Sequence, residues 1–365
     1  MKKLTLSFLI LLVLSGCWDQ QNFKDLQMID MIGFDKAEKE EQMKLSLAIS
    51  SLYEAHQGGG KPAMEVTTAQ GSSLADAIEN TDFKTPGQLT FNQTRLYIMS
   101  KSFASDKPIE KMKVLGQVST CPLTSNVVMY DGKVSELLAR KKLKGKTMAN
   151  YLTILLESTE VTNYMPKETL LRFIFEKNDP YVDVALPLIQ SRGDNIQLNG
   201  SALFREGSYS GVDLSPTLTK IAQLMKGVAR PGIHLIVEMD GSPYDVLIKK
   251  ASRKIVVNSK DNKVSEIMLP LKIQAQLLYS QTSKKALTQT KLNNLEKMLT
   301  EEINKQALQA IQTLQKANCD YLGFAREIHA YYHKEWSHMN WRKEYPRLPI
   351  RPEVKLQILN SGVML

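Results

Sequence analysis

The chain has 365 residues, with 47 Lys and Arg against 38 Asp and Glu and a formal net charge of +9 at pH 7. That length exceeds what one core usually holds, so two or three domains are expected. Three cysteines without a CxxC pair exclude a disulfide-stapled scaffold and a cysteine-type zinc site, and the basic balance favours an anionic neighbour such as a lipid leaflet.

Lys2 and Lys3 precede an apolar stretch from Leu4 to Leu14 that has signal-peptide length and is too short to span a bilayer as a helix. Leu14, Ser15, Gly16 and Cys17 follow it and resemble a bacterial lipobox, in which small residues admit a peptidase and the cysteine thiol receives a diacylglycerol. Residues 1–16 are therefore expected to be a leader and Cys17 the first mature residue. The acyl chains would hold a soluble body on the extracytoplasmic face of a membrane, each CH2 adding about 0.8 kcal/mol. No second long apolar run predicts a further span.

Residues 17–192 read as an N-terminal α+β region with room for two subdomains. "MKLSLAISSLYEA" predicts a strand, the Gly-rich stretch at 58–60 an excursion that could hold a small inserted unit, and "MEVTTAQ" a returning strand. "SSLADAIENT" predicts a helix capped by Ser72 or Ser73, with Leu74, Ala77 and Ile78 on one face. A buried strand in "TRLYIMSKSFA" runs into a helix around "IEKMKVLGQV"; "SNVVMYDGKVSELLARKKL" gives strand, Asp131-Gly132 turn and helix; "ETLLRFIFEK" is a further amphipathic helix. These elements show no regular βαβ repeat. A strand in "DPYVDVALPLIQ" reaches a polar hinge at Ser191 to Asn195, where the division is placed.

Residues 193–365 read as a C-terminal α+β domain. A strand, a turn at Glu206-Gly207 and a short strand lead to a helix after Ser215-Pro216. Three or four long strands follow, with a hairpin at "SKDNK" that predicts an antiparallel sheet. From Lys284 to Ala317 runs the longest helix, with Leu287, Leu292, Leu295, Leu299, Ile303, Leu308, Ile311 and Leu314 as an apolar stripe expected to lie across that sheet. "IRPEVKLQILNSG" alternates like a final strand. The fold class is therefore α+β: multidomain mixed α/β with largely antiparallel sheets and a C-terminal sheet packed against a long helix. Cys121 and Cys319 are expected as free, buried thiols.

No catalytic signature emerges. "HAYYH" places His329 and His333 four residues apart near His338, but the glutamate of HExxH is missing, so capping or solvated histidines are expected and no metal. There is no nucleophile elbow, phosphate loop or carboxylate pair, so neither an enzyme nor a cofactor is expected. "RKKLKGK" at 140–146 reads as a solvated basic face that could meet headgroups or an acidic partner. Nucleic acid is not expected, because an exported lipoprotein would not meet it and no aromatics interleave the charges.

The residues after the lipobox are the most specific. "GCWDQQNFKDLQMIDMIGFDK", with Cys17, Trp18 and Asp19 and then an apolar strand ending in Gly33 and Asp35, resembles the opening of the Ger(x)C family, the lipoprotein C subunits of nutrient germinant receptors in endospore-forming bacteria. A mid-chain tract with Leu198, Gly200, Ala202, Phe204 and Gly211 is similar to that family, as are "RLYIMSKSFA", "KVSELL" and, near the end, Asp320, Gly323, Trp336, Trp341 and Gly362 in order. "KVLGQVSTCPLT" and "QQN" depart from the family pattern and affect the first region's surface. The resemblance implies a non-enzymatic subunit anchored by Cys17 in the spore inner membrane and associated with an A subunit and a transporter-like B subunit. It would act in germination by assembly and signal transmission. The shared residues read as structural: Gly200 and Gly211 suit tight backbone, and Trp336 and Trp341 are expected to pack. The competing reading is a solute-binding lipoprotein delivering a nutrient to a transporter, which would show two similar α/β lobes.

Overall fold

The computed structural model describes residues 26–39, 41–51, 64–161, 164–175, 181–227, 232–239, 241–280 and 289–360. Residues 1–16, expected to be a leader, and Cys17, Trp18, Asp19, the Gly-rich stretch at 58–60, Leu287 and Gly362 lie outside them. In chain order the first sheet contains β1 (Leu26–Lys36), β2 (Met43–Ser51), β3 (Met64–Gly71), β4 (Gln88–Thr90), β5 (Leu96–Ser100), β6 (Asn126–Tyr130), β9 (Ala185–Arg192), β10 (Asn195–Arg205) and β11 (Ser208–Leu214). Between them run α1 (Leu74–Asp82), α2 (Lys101–Ala104), α3 (Pro108–Met112), α4 (Val134–Ala139), a small ribbon of β7 (Lys142–Leu143) and β8 (Lys146–Thr147), α5 (Met148–Val161) and α6 (Leu170–Phe175).

The strand order is β11-β10-β9-β6-β5-β1-β2-β3, with β4 beside β1. Its centre is parallel, β9 to β6 to β5 to β1, and its flanks are antiparallel, so the sheet is mixed. Parallel neighbours need crossover helices, and those helices bury both faces. Every residue of β5 is accordingly buried. One face packs on Leu74, Phe103, Met112 and Phe173, the other on Leu137, Leu138, Leu152 and Leu156. The parallel centre is invisible to period-2 patterning, which cannot tell strand direction.

Local signals explain the elements. Ser73 caps α1 by accepting from the Asp76 N–H at 3.2 Å. Lys101 Nζ, where β5 gives way to α2, bridges Asp131 at 2.9 Å and Asp213 at 3.0 Å, tying the end of β6 to β11. The division placed at 192/193 falls in the turn of the β9–β10 hairpin, where Arg192 pairs with Asn195. The first sheet continues through it to Leu214, and Ala202 and Phe204 of β10 belong to the first sheet's core.

The second sheet comprises β12 (Ile233–Met239), β13 (Ser242–Arg253), β14 (Val256–Lys260), β15 (Lys263–Ser280) and β16 (Ile350–Asn360). The long β15 is its spine: β14 and β13 share one edge antiparallel, and β16 lies along the other in parallel. Asp261 and Asn262, with φ of 52° and 56°, make the two-residue turn between β14 and β15, the primed geometry that matches strand twist. The helix α7 (Pro216–Lys226) starts with Ser215 accepting from Leu218 N–H and ends at Gly227 in the left-handed region. The helix α8 (Gln289–Lys316) crosses the sheet as expected, burying Leu295, Leu299, Ile303, Ile311 and Leu314. Leu308 faces outward at 39% exposure, and Ala307 and Ala310 are buried in its stead.

The helix also protects the sheet's edge. Glu296 accepts from Ile358 N–H at 2.7 Å and Asn304 from Val354 N–H at 3.1 Å. Eight helical residues rise about 12 Å and four strand residues about 13 Å, so the two acceptors match alternate free N–H groups of β16, which would otherwise template another strand.

Because the first sheet runs through the turn at Gly193-Asp194, a protease site inserted there should, after cutting, leave both fragments eluting as one particle on size exclusion. Separation into two folded bodies would contradict the continuity of the sheet.

Candidate functional site

The two sheets meet at a joint built from the segment leading into β9 and a turn-rich C-terminal segment: α9 (Phe324–Tyr331), α10 (His333–Trp336), α11 (Trp341–Glu344) and a single 3-10 turn at Tyr345–Arg347. At its centre is Asp183, 5% exposed. Its carboxylate accepts from Arg342 Nη1 at 2.6 Å and Nη2 at 2.9 Å, from Asp320 N–H at 2.7 Å and from Glu206 N–H at 3.1 Å. A carboxylate stripped of water needs such a full donor set. Burial opposes the charge on Arg342, but the Asp183 carboxylate outweighs it and raises the guanidinium's proton affinity above its ordinary value.

Asp320 is 1% exposed and organises the next turn. One oxygen accepts from Gly323 N–H and Phe324 N–H, both at 2.9 Å, and the other from Ala325 N–H at 2.7 Å, so its carboxyl seats the N-terminus of α9. Burial pushes its carboxyl up to about 7, with the nearby Asp183 adding to that and the three N–H groups opposing it. Around the pair, Tyr345 donates to Cys319 O at 3.0 Å, and Asn318 and Arg342 exchange side-chain to backbone bonds at 2.8 and 3.1 Å. Burial likewise pushes the Cys319 thiol up. Cys121 and Cys319 are both free and buried.

A cavity of about 480 Å³ opens beside this network. Ile109, Phe173 and Gly207 line it from the first sheet's side, Trp336, Met339 and Trp341 from the C-terminal segment. Tyr181 stacks on His329 with ring centroids 4.2 Å apart and meets Trp336 edge-on at 5.5 Å; Trp341 in turn lies 5.0 Å from Tyr345. The charged groups at the joint satisfy one another, so the arrangement fixes geometry and activates no nucleophile. Among the described residues no three His, Cys, Asp or Glu converge to hold a metal, and His329 bonds Tyr181 OH at 3.1 Å instead.

The residues singled out in the sequence fall in separate places. Gly33 and Asp35 act on one helix. A Cβ at Gly33 would stand 2.6 Å from Val134 Cγ1, and the buried Asp35 carboxylate accepts from Val134 and Ser135 N–H at 2.9 and 2.8 Å, capping α4. Gly200 has φ +86°, and a Cβ there would lie 1.9 Å from Leu214 O; Gly211 has φ +82° with open space. Phe204 is fully buried, edge-on to Phe173 at 5.5 Å. Asp320, Trp336 and Trp341 meet at the joint; Leu14 to Asp19 lie outside the described residues. Asp183 and Arg342 were not singled out, because 159 residues separate them and neither carries a local signal.

Comparison with known proteins matches two consecutive family models, which divide the chain within the first sheet, at the β9–β10 hairpin. The family model described as "Spore germination protein N-terminal domain" matches residues 19–191, and "Spore germination B3/ GerAC like, C-terminal" matches residues 199–362. Spore germination protein GerQC of Bacillus cereus is 24% identical over 100% of this chain and 99% of its own length. Spore germination protein KC of Bacillus subtilis (strain 168) is 22% identical over 98% of this chain and 95% of its own. The crystal structure of the GerBC protein superposes with a TM-score of 0.61 at 12% identity, covering 90% of this chain and 97% of that one.

The raised carboxyl of Asp320 sets a pH dependence. Its folded pKa of about 7 lies above the ordinary 3.8, so the folded chain holds a proton that the unfolded chain has released. The associated stability is complete at the acid end and is lost as pH rises through about 7. The thermal midpoint should fall between about pH 5 and about pH 8, and Asp320→Asn should flatten that fall. An identical slope in the variant would contradict the assignment.

Proposed function

This chain belongs to the GerAC-like family of spore germination proteins, and we propose that within it the chain is the lipid-anchored C subunit of a nutrient germinant receptor. The observation that carries the reading is the consecutive match of both family models across the two sheets, together with full-length relatives that are germination proteins. In this reading Cys17 holds the body on the outer face of the spore inner membrane, beside an A subunit and a transporter-like B subunit. No helix among the described residues is long and apolar enough to cross a membrane, and the lipobox supplies the attachment. The body then contributes assembly and signal transmission through protein contacts, with no cofactor.

The joint supports a transmitting role. A force or contact on the first sheet reaches the second through Asp183, Arg342 and Asp320, all buried or partly buried, rather than through a linker. The solute-binding alternative expects two similar lobes. Here the first sheet has nine strands with a parallel centre and the second five around a single long spine.

Spores lacking the gene should lose the optical-density drop and dipicolinate release for some single nutrients while keeping dormancy and non-nutrient germination. Cys17→Ala should release the protein from the membrane fraction and weaken the same responses. Unchanged responses across a panel that includes the cognate nutrient would overturn the receptor reading.

A further inference from the structure

The second sheet has two unlike faces. Its inner face packs on α7 and α8. On the outer face, Lys272 of β15 stands directly opposite Lys355 of β16, and Ser252 of β13 opposite Lys272 on the other side. One step along, Lys250 faces Gln274, which faces Gln357 and donates to its Oε1 at 3.1 Å. Lys250, Lys272 and Lys355 are exposed and rim a depression of about 310 Å³.

Like charges placed directly across neighbouring strands repel, and a sheet normally avoids them. Among the described residues none of the three lysines has an ion-pair partner. The nearby Glu266 is held by Arg351 at 2.7 Å, and Glu353 lies two residues before Lys355 on the same face. Farther along the same strands and the same face, Leu278 is 39% and Leu359 50% exposed. A cationic cluster beside exposed leucines on an open face is the composition of a surface that rests in a bilayer interface, with apolar tips among the headgroups and ammonium groups at the phosphates.

We propose that this outer face docks on an anionic lipid leaflet, Lys250, Lys272 and Lys355 meeting the lipid phosphates and Leu278 and Leu359 entering the headgroup layer. Such docking would fix which way the body faces, which attachment through Cys17 alone does not specify. The proposal builds on the lipoprotein reading, since the tether brings the face to the leaflet, and it is tested without the tether.

All three cores lie between Ile29 and Ile358, so a chain of residues 18–365 carries the whole fold. That unlipidated body is sedimented with vesicles of phosphatidylcholine alone or with about one-third phosphatidylglycerol. It should bind the anionic vesicles selectively and lose them at high salt. K250E/K272E/K355E should weaken binding at least about tenfold, whereas K142E/K144E/K146E, with the same change in net charge, should leave it within about twofold. Equal losses in the two variants, equal binding to neutral vesicles, or no binding at all would each overturn the proposal. Retention on polyglutamate without vesicle binding would do so as well, reassigning the face to an acidic protein. Absence of vesicle binding together with membrane release by Cys17→Ala would reject the face and leave the anchor standing.

Discussion

Burial of one carboxylate governs how this protein is put together. Asp183 sits at the entrance to β9 with almost no access to water, and a charge so placed is tolerable only with complete hydrogen bonding. Two of its donors come from Arg342, one from the Asp320 backbone and one from Glu206. The first sheet therefore cannot separate from the C-terminal segment without stranding the charge, and removing a partner of such a buried pair costs on the order of 3–5 kcal/mol. The aromatic rings of Tyr181, His329, Trp336, Trp341 and Tyr345 pack in a chain beside it.

The chain's other constraints follow from that joint. Asp320 must present its backbone N–H to Asp183, so its own carboxyl turns to the three N–H groups that open α9. The helix then leads through α10 and α11 back to Arg342 and on to β16, which closes the second sheet beside β15. The last strand is thus fixed at both ends, by the joint before it and by Glu296 and Asn304 of α8 along its edge.

Much of this was legible residue by residue. Ser215-Pro216 announced α7, Asp261-Asn262 lay in the expected hairpin, and the leucine spacing announced α8, because capping, turn chemistry and helical period are local properties. Gly33 and Asp35 stood out in the sequence, yet their shared task, admitting and capping α4, appears only once Val134 is brought against β1 from about a hundred residues away. The parallel centre of the first sheet and its continuation past 192/193 were not legible, since strand direction and partner choice leave no periodic trace. Nor was the Asp183–Arg342 pair, whose members look like ordinary surface charges until the fold removes their water. Leu308 shows the same limit: the stripe counted it inward, and packing chose the neighbouring alanine.

The two sheets form one mechanical unit through Asp183 and Arg342, and native-state hydrogen exchange reads that coupling residue by residue. In Arg342→Met, the amides of Leu186, Leu188 and Ile189 in β9 and those of Phe324 and Ala325 at the start of α9 should lose protection together and by similar amounts, since Asp183 holds the entrance to β9 and, through the Asp320 N–H, the turn whose carboxyl seats α9. Loss confined to α9, with β9 as protected as in the unaltered chain, would show that Asp183 and Arg342 do not couple the two sheets.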